Sequence, residues 1–226
     1  MQEFVSHEER IGSIRLRIIA DNDASNPRTD HDHPGTILCC DHRRYDLGDH
    51  GSHGDVARLI RASRDYRPAW EERAGPCLDF SDGPDLWIAV QRCRDIVALP
   101  CYLYDHSGIT MSTTPFSCPW DSGQVGFICI GRSAILETFE NPARVRLSRG
   151  LRARALQVLR AEVEEYDQYL TGDVWGYVVD RADDSDLTDG DEHACWGLFG
   201  FAYALETGRE ALSRAAIRYP DLAQAL

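Results

Sequence analysis

The 226-residue sequence predicts an α+β protein: a single domain with a mainly antiparallel sheet packed against one long amphipathic helix and shorter helices. Three observations lead to this class. Short segments in which apolar and polar residues alternate are separated by Gly, Asp and Pro turns, as in hairpins. One segment, residues 148–171, keeps its apolar residues at helical spacing over its whole length. Strand–helix–strand alternation, which is typical of parallel sheets, is scarce.

The strands are assigned from their alternation. Ile14, Leu16 and Ile18 alternate with arginines, which indicates a half-buried strand with one solvated face. Residues 1–12 precede this strand, and we expect them to form a flexible N-terminal extension of the domain, which spans 1–226. We predict strands near 14–20, 36–41, 101–113, 125–130, 174–180 and 193–200, and a short helix at 54–66.

The long helix has clear ends but an unusual charge distribution. Ser148 can cap its start and Gly172 can terminate it. Arg149, Arg152 and Arg154 lie early in the helix, while its glutamates lie late, so both groups oppose the helix dipole. Packing must therefore outweigh this electrostatic cost, or the charges serve a partner.

The segment YLYDHSGITMST, residues 102–113, predicts a β-hairpin with a four-residue loop. Asp105 begins the turn by accepting hydrogen bonds from backbone amides, and Gly108 takes the positive φ before the return strand. His106 has no role in such a turn, so it is the more informative residue. Further on, Gly126 lies inside an apolar strand, which indicates a bulge or the close approach of another backbone.

The same region holds the candidates for catalysis. Cys118 would be the nucleophile and His106 its partner, with Asp105 and Asp121 as neighbouring polar groups. A free cysteine is more often a small buried hydrophobe, and the spacing matches no signature of a cysteine enzyme. We therefore favour a protein that is not an enzyme and keep these four residues as the alternative.

Histidines are concentrated in one stretch. Five of the eight lie within residues 31–53, among aspartates: His31, His33, His42, His50 and His53. Imidazole and carboxylate are good ligands for zinc or manganese, although hydrophilic loops have the same composition. Only His50 and His53 have a ligand-like spacing, so they are the candidate metal ligands, and we predict no cofactor.

The charge balance constrains the partners. Acidic residues outnumber basic ones 37 to 24, the net charge is -13, and every basic residue is arginine. A surface this acidic repels nucleic acid, so we expect no direct nucleic-acid binding. No apolar run approaches the ~20 residues of a membrane span, and the first residues lack a signal-peptide pattern, so we expect a cytoplasmic protein without membrane contact. The eight cysteines include no C-x-x-C pair, which favours reduced thiols.

Several strings resemble a family of small, mostly uncharacterised bacteriophage and prophage accessory proteins. They are NPR at 26–28, HRRYDLGD at 42–49, LPCYLYDHSGITMSTTPFSCPWDSGQVGFI at 99–128, EVEEYDQYLTGDVWGYVV at 162–179 and CWGLFGF at 195–201. The resemblance implies a phage gene product that acts in the cytoplasm of a bacterial host, and it carries no catalytic assignment. His31 and His33 depart from the family pattern, which argues against a metal at that segment.

Two classes of function follow. The first is a non-enzymatic inhibitor of a bacterial defence system, of the anti-CRISPR or antirestriction type, whose carboxylates mimic nucleic-acid phosphates and bind a host defence protein or nucleic-acid-handling complex. The second is a metal-dependent or cysteine/histidine enzyme, or a small-ligand binder, centred on residues 105–121. We favour the first. Its expected contacts are the densest acidic stretches, namely Glu162, Glu164, Glu165, Asp183, Asp184, Asp186 and Asp189.

Overall fold

The computed structural model describes residues 5–40, 44–71, 78–139, 147–183, 187 and 193–224. Within these ranges the α+β class is confirmed, and all the pairings between named strands are antiparallel. The strands form two four-stranded sheets, where the sequence analysis predicted one sheet. The chain divides into two compact units, unit 1 (Met1–Asn26 with Gln168–Leu226) and unit 2 (Pro27–Asp167).

Unit 1 contains a sheet of order β1-β2-β7-β8. Its elements are β1 (Val5–Ile11), β2 (Ile14–Ala20), β7 (Val174–Arg181), β8 (Ala194–Phe199), α6 (Phe201–Arg218) and α7 (Pro220–Ala223). Residues 5–11 were expected in a flexible extension, but they pair with β2 as a regular strand. Helix α6, which the sequence analysis did not predict, packs its small residues on the sheet: a Cβ at Gly208 would lie 2.8 Å from Cδ1 of Leu16.

The alternation in β2 predicted a solvated polar face, but the structure buries one of the polar residues of this strand. Arg15 is buried and donates to both carboxylate oxygens of Asp180, at 2.9 and 3.0 Å. Arg17 adds a third hydrogen bond to Asp180 at 2.6 Å. Two charged residues can occupy this face because their partner lies on the neighbouring strand, a pairing that alternation alone does not reveal.

Unit 2 contains the second sheet, of order β3-β6-β4-β5. Its elements are α1 (Pro27–Asp30), β3 (Thr36–Cys39), α2 (Ser52–Ala62), a 3₁₀ turn (Pro68–Trp70), α3 (Gly83–Arg92), β4 (Ile96–Asp105), β5 (Ile109–Ser112), β6 (Ser122–Gly131), α4 (Arg132–Thr138) and α5 (Arg149–Thr171) as far as Asp167. A core that includes Val56, Ile60, Leu86 and Phe127 joins α2 and α3 to the sheet. At Gly126 a Cβ would overlap the Leu38 carbonyl oxygen, which confirms the close backbone approach.

The long helix α5 holds the loops and hairpin of unit 2 through polar side chains. The Glu162 carboxylate accepts from the backbone N–H of Gly35 at 3.1 Å. Asp167 accepts from the hydroxyl of Thr110 at 2.7 Å and from the backbone N–H of Met111 at 2.6 Å. The contact between Gly35 and Glu162 places the loop after α1 beside the glutamates of α5.

Of the helices that the structure describes, none has both the length and the apolar composition that a bilayer crossing requires.

Candidate metal centre

Two histidines follow the short helix α1. The backbone N–H of His31 continues the helix by donating to the Pro27 carbonyl at 3.0 Å. The ring Nε2 of His33 lies 3.1 Å from the same carbonyl oxygen. Because a carbonyl only accepts, Nε2 of His33 carries the proton, and in the neutral ring Nδ1 keeps its lone pair. Metal-ligating histidines usually have their second nitrogen fixed in this way.

Helix α5 adds a carboxylate to this histidine pair. Oε1 of Glu165 lies 3.2 Å from Nδ1 of His31. One ligand atom each from His31, His33 and Glu165 lie within 4.8 Å of one another. Among the described residues this is the one such group of three or more His, Cys, Asp or Glu side chains. His33 is 10% exposed at its side chain and Glu165 29%, so the group lies at the surface with a buried inner side.

A buried ionic network supports the inner side of the group formed by His31, His33 and Glu165. Arg28 donates to both oxygens of Asp49 at 2.8 Å, to Glu162 at 2.8 Å and to the Gly35 carbonyl at 2.8 Å. Burial alone would lower the pKa of Arg28, but the hydrogen bonds and charges of Asp49 and Glu162 outweigh it and raise that pKa. The guanidinium therefore stays charged and fixes the segment that carries the histidines.

The charges of this region favour a cation. Arg28 neutralises only one of the two carboxylates that it binds, and Glu165 adds another negative charge. Nδ1 of His33 lies 3.8 Å from Oε2 of Glu162, so the buried network extends to the histidine pair. Two imidazole nitrogens and one carboxylate oxygen form a ligand set that suits Zn²⁺ and related divalent transition metals. Without a metal, a protonated His31 makes a surface ion pair with Glu165, a contact worth about 0–1 kcal/mol.

The metal ligands named from the sequence lie apart from this group. Nδ1 of His50 is 3.9 Å from Oδ2 of Asp46, and both side chains are largely exposed. His53 lies in the first turn of α2. The H-x-x-H spacing suits one helical face, but His50 precedes the helix, because α2 begins at Ser52 after a left-handed Gly51.

The predicted partner contacts have different environments. Glu162 is 5% exposed and bound to Arg28, so little of its side chain is open to a partner. Glu165 belongs to the metal-ligand group, Glu164 is exposed, and the side chain of Asp183 is 60% exposed beside Arg181. Asp184, Asp186 and Asp189 lie outside the described residues.

The catalytic candidates do come together. Nδ1 of His106 and Sγ of Cys118 each lie 3.5 Å from Oδ2 of Asp121, and the backbone N–H of Asp105 donates to the Asp121 carbonyl. A cysteine nucleophile is commonly activated by an imidazole nitrogen next to its sulfur. Here the neighbour of the Cys118 sulfur is a carboxylate oxygen, which accepts the S–H hydrogen bond. This order of groups is unlike that of a cysteine enzyme.

Gly108 takes a positive φ of 154°, as predicted. Ser107, at φ 59°, is a second positive-φ residue of the turn, which the sequence analysis did not predict. His106 is exposed, as expected, at 64% of its side chain. The hairpin pairing of β4 with β5 is confirmed from Tyr102 opposite Ser112 to Asp105 opposite Ile109.

Comparison of the chain with protein-family models, with curated proteins and with solved structures finds no match. Any functional conclusion therefore rests on the geometry of the sites.

Proposed function

We propose that the protein binds a divalent transition-metal ion through His31, His33 and Glu165. The observation that carries the proposal is the orientation of His33, whose Nε2 proton is held by the Pro27 carbonyl. That hydrogen bond leaves Nδ1 of His33 with its lone pair, and His33 lies in a group with His31 and Glu165.

The three protein ligands leave part of the coordination shell open. Structural zinc sites are closed by four protein ligands, whereas sites that bind water or a further ligand have three. The partial exposure of His31 and Glu165 gives solvent access to the open side. The ion would hold a water molecule or an oxygen donor from a partner there.

Isothermal titration calorimetry of the EDTA-treated, dialysed full chain with ZnCl₂ tests the proposal. The wild type is expected to bind one ion at this site, and His33→Ala and Glu165→Gln are each expected to weaken it at least tenfold, the range seen when a ligand set is damaged. The matched control, His50→Ala with His53→Ala, removes two imidazoles elsewhere in unit 2 and should leave the affinity unchanged. Equal affinity in wild type and Glu165→Gln, or loss only in the control, would overturn the proposal. Urea unfolding of each variant shows whether it is folded.

The charge of the chain supports a second proposal, the acidic inhibitor of a host defence protein. The net charge is -13, and the exposed acids among the described residues include Glu164 and Asp183. The resemblance to phage proteins points in the same direction. This proposal needs no metal, so a failure of zinc binding leaves it standing.

A salt-dependent pull-down tests the inhibitor. The tetra-variant Asp183→Asn, Asp184→Asn, Asp186→Asn and Asp189→Asn should lose capture of a nucleic-acid-handling complex that the wild type captures at low salt. The matched control neutralises four exposed acids elsewhere, Asp23, Asp55, Glu206 and Glu210. Equal loss in both variants would show that net charge, and not this segment, accounts for the binding.

A further inference from the structure

Unit 2 has a cavity of about 390 Å³ that is lined by four arginines. They are Arg64, Arg94, Arg132 and Arg152. Arg64 follows α2, Arg94 follows α3, Arg132 is the first residue of α4, and Arg152 lies in the first turn of α5. Four separate segments thus bring a guanidinium to one cavity, in a protein whose net charge is -13.

The two aspartates of the cavity wall are engaged by the backbone. Asp65 accepts from the backbone N–H of Arg94 at 2.8 Å and lies 3.5 Å from its guanidinium. Asp95 accepts from the backbone N–H of Arg64 at 3.2 Å and from the hydroxyl of Ser63. These carboxylates fix the loops that carry Arg64 and Arg94, and they leave the wall with a net positive charge.

Two of the arginines have no acidic partner among the described residues. Over the residues that the structure describes, no carboxylate lies within 4.0 Å of the guanidinium of Arg64 or Arg152. Arg152 also lies at the start of a helix, where a positive charge opposes the dipole and costs about 0.3–1 kcal/mol. By contrast, Arg154 in the same turn stacks over the Phe139 ring at 4.0 Å and so has a structural role. No acidic contact among the described residues explains why Arg64 and Arg152 lie at this cavity, whereas a bound anion would.

We propose that this cavity binds the phosphate group of a small phosphorylated molecule. Guanidinium groups bind phosphate oxygens through paired, charge-assisted N–H donors, and Arg is enriched wherever such recognition occurs. The cavity volume lies within the range of small-molecule sites. The acidic surface outside the cavity disfavours long polyanions, so the ligand is a monoester and not a nucleic acid.

Calorimetric titration with adenosine monophosphate and with inorganic phosphate, in EDTA and at constant ionic strength, tests this site apart from the metal centre. Both probes should bind the wild type, and Arg64→Gln with Arg152→Gln should weaken them at least tenfold. Arg149→Gln, paired with Arg58→Gln, removes two exposed arginines of α5 and α2 that are not among the cavity-lining residues, and it should change the affinity less than twofold.

Three results would overturn the proposal. One is heat no greater for phosphate than for chloride, and another is equal weakening in the two double variants. The third is binding of a single-stranded oligonucleotide in the absence of binding of either small probe. Urea unfolding serves as the control for folding. If both double variants have the same urea midpoint, a loss of binding heat comes from the change in the cavity and not from unfolding.

Discussion

Nη1 of Arg28 lies 2.8 Å from Oε2 of Glu162, and both side chains are buried. This pair ties the segment that carries His31 and His33 to the helix that carries Glu165. The histidines and the glutamate are far apart in sequence, and the buried pair fixes their spacing. Metal binding and the stability of unit 2 are thereby linked.

Removing Arg28 should be strongly destabilising. Arg28→Gln leaves the buried Glu162 and the half-buried Asp49 without their counter-charge, and the loss of one partner from such a network costs about 3–5 kcal/mol. Urea unfolding at pH 7 measures the free energy of unfolding. Arg58→Gln, which removes an exposed partner of Asp55, is the matched control and should cost under about 1 kcal/mol. A cost for Arg28→Gln equal to that of the control would show that the pair is not buried.

The Glu9–Arg209 pair in unit 1 predicts a pH dependence. The hydrogen bond from Arg209, with a second from His7, lowers the pKa of Glu9 from its ordinary 4.5 to about 2. Because the folded pKa lies below the unfolded one, the stabilisation is full above pH 4.5 and is lost as the pH falls towards 2. The difference in unfolding free energy between wild type and Glu9→Gln should therefore shrink as the pH falls from 5 towards 2. A difference that stays constant down to pH 2.5 would contradict the pairing.

The hairpin tip predicts opposite effects at two neighbouring positions. Ser107 has a left-handed φ of 59°, so Ser107→Gly should be neutral or stabilising by up to about 1 kcal/mol. Gly108 has φ 154°, which side-chain-bearing residues rarely adopt, so Gly108→Val should destabilise, and by more than His106→Ala. Thermal unfolding of the three variants provides the comparison. If His106→Ala proved the most costly, the imidazole would have a structural role that its exposure does not suggest.

The cysteines should differ in reactivity according to burial. Burial raises the pKa of the Cys129 thiol to about 12, and this residue is 1% exposed. Cys118 is partly exposed at the surface of unit 2. Iodoacetamide labelling of the native protein, followed by peptide mass spectrometry, should modify Cys118 well before Cys129. Equal rates would indicate that unit 2 opens on the labelling timescale.

Local patterns predicted much of the fold. The hairpin 102–113, the strand at 14–20 and the helix that spans Arg149–Thr171 follow from alternation, turn residues and helical spacing, which all act over a few positions. The division into two sheets depends on which strands pair across long sequence distances. β2 pairs with β7, and no local pattern specifies that choice.

The candidate metal centre escaped sequence reasoning for the same reason. His31 and Glu165 are separated by 134 positions, and their contact depends on the buried Arg28 network. The string HDHP, residues 31–34, offered an H-x-H signal, but H-x-x-H at 50–53 is the more familiar spacing. Glu162 looked like part of a solvated run because its partner, Arg28, lies in helix α1, far away in the sequence.

Anomalous diffraction from zinc-soaked crystals, recorded above and below the zinc absorption edge, tests the metal centre most directly. We predict a peak bonded to Nδ1 of His33, a ring nitrogen of His31 and a carboxylate oxygen of Glu165, at about 2.0–2.2 Å. A peak beside His50 and His53 instead, or no peak between His31, His33 and Glu165 in zinc-soaked wild type, would contradict it.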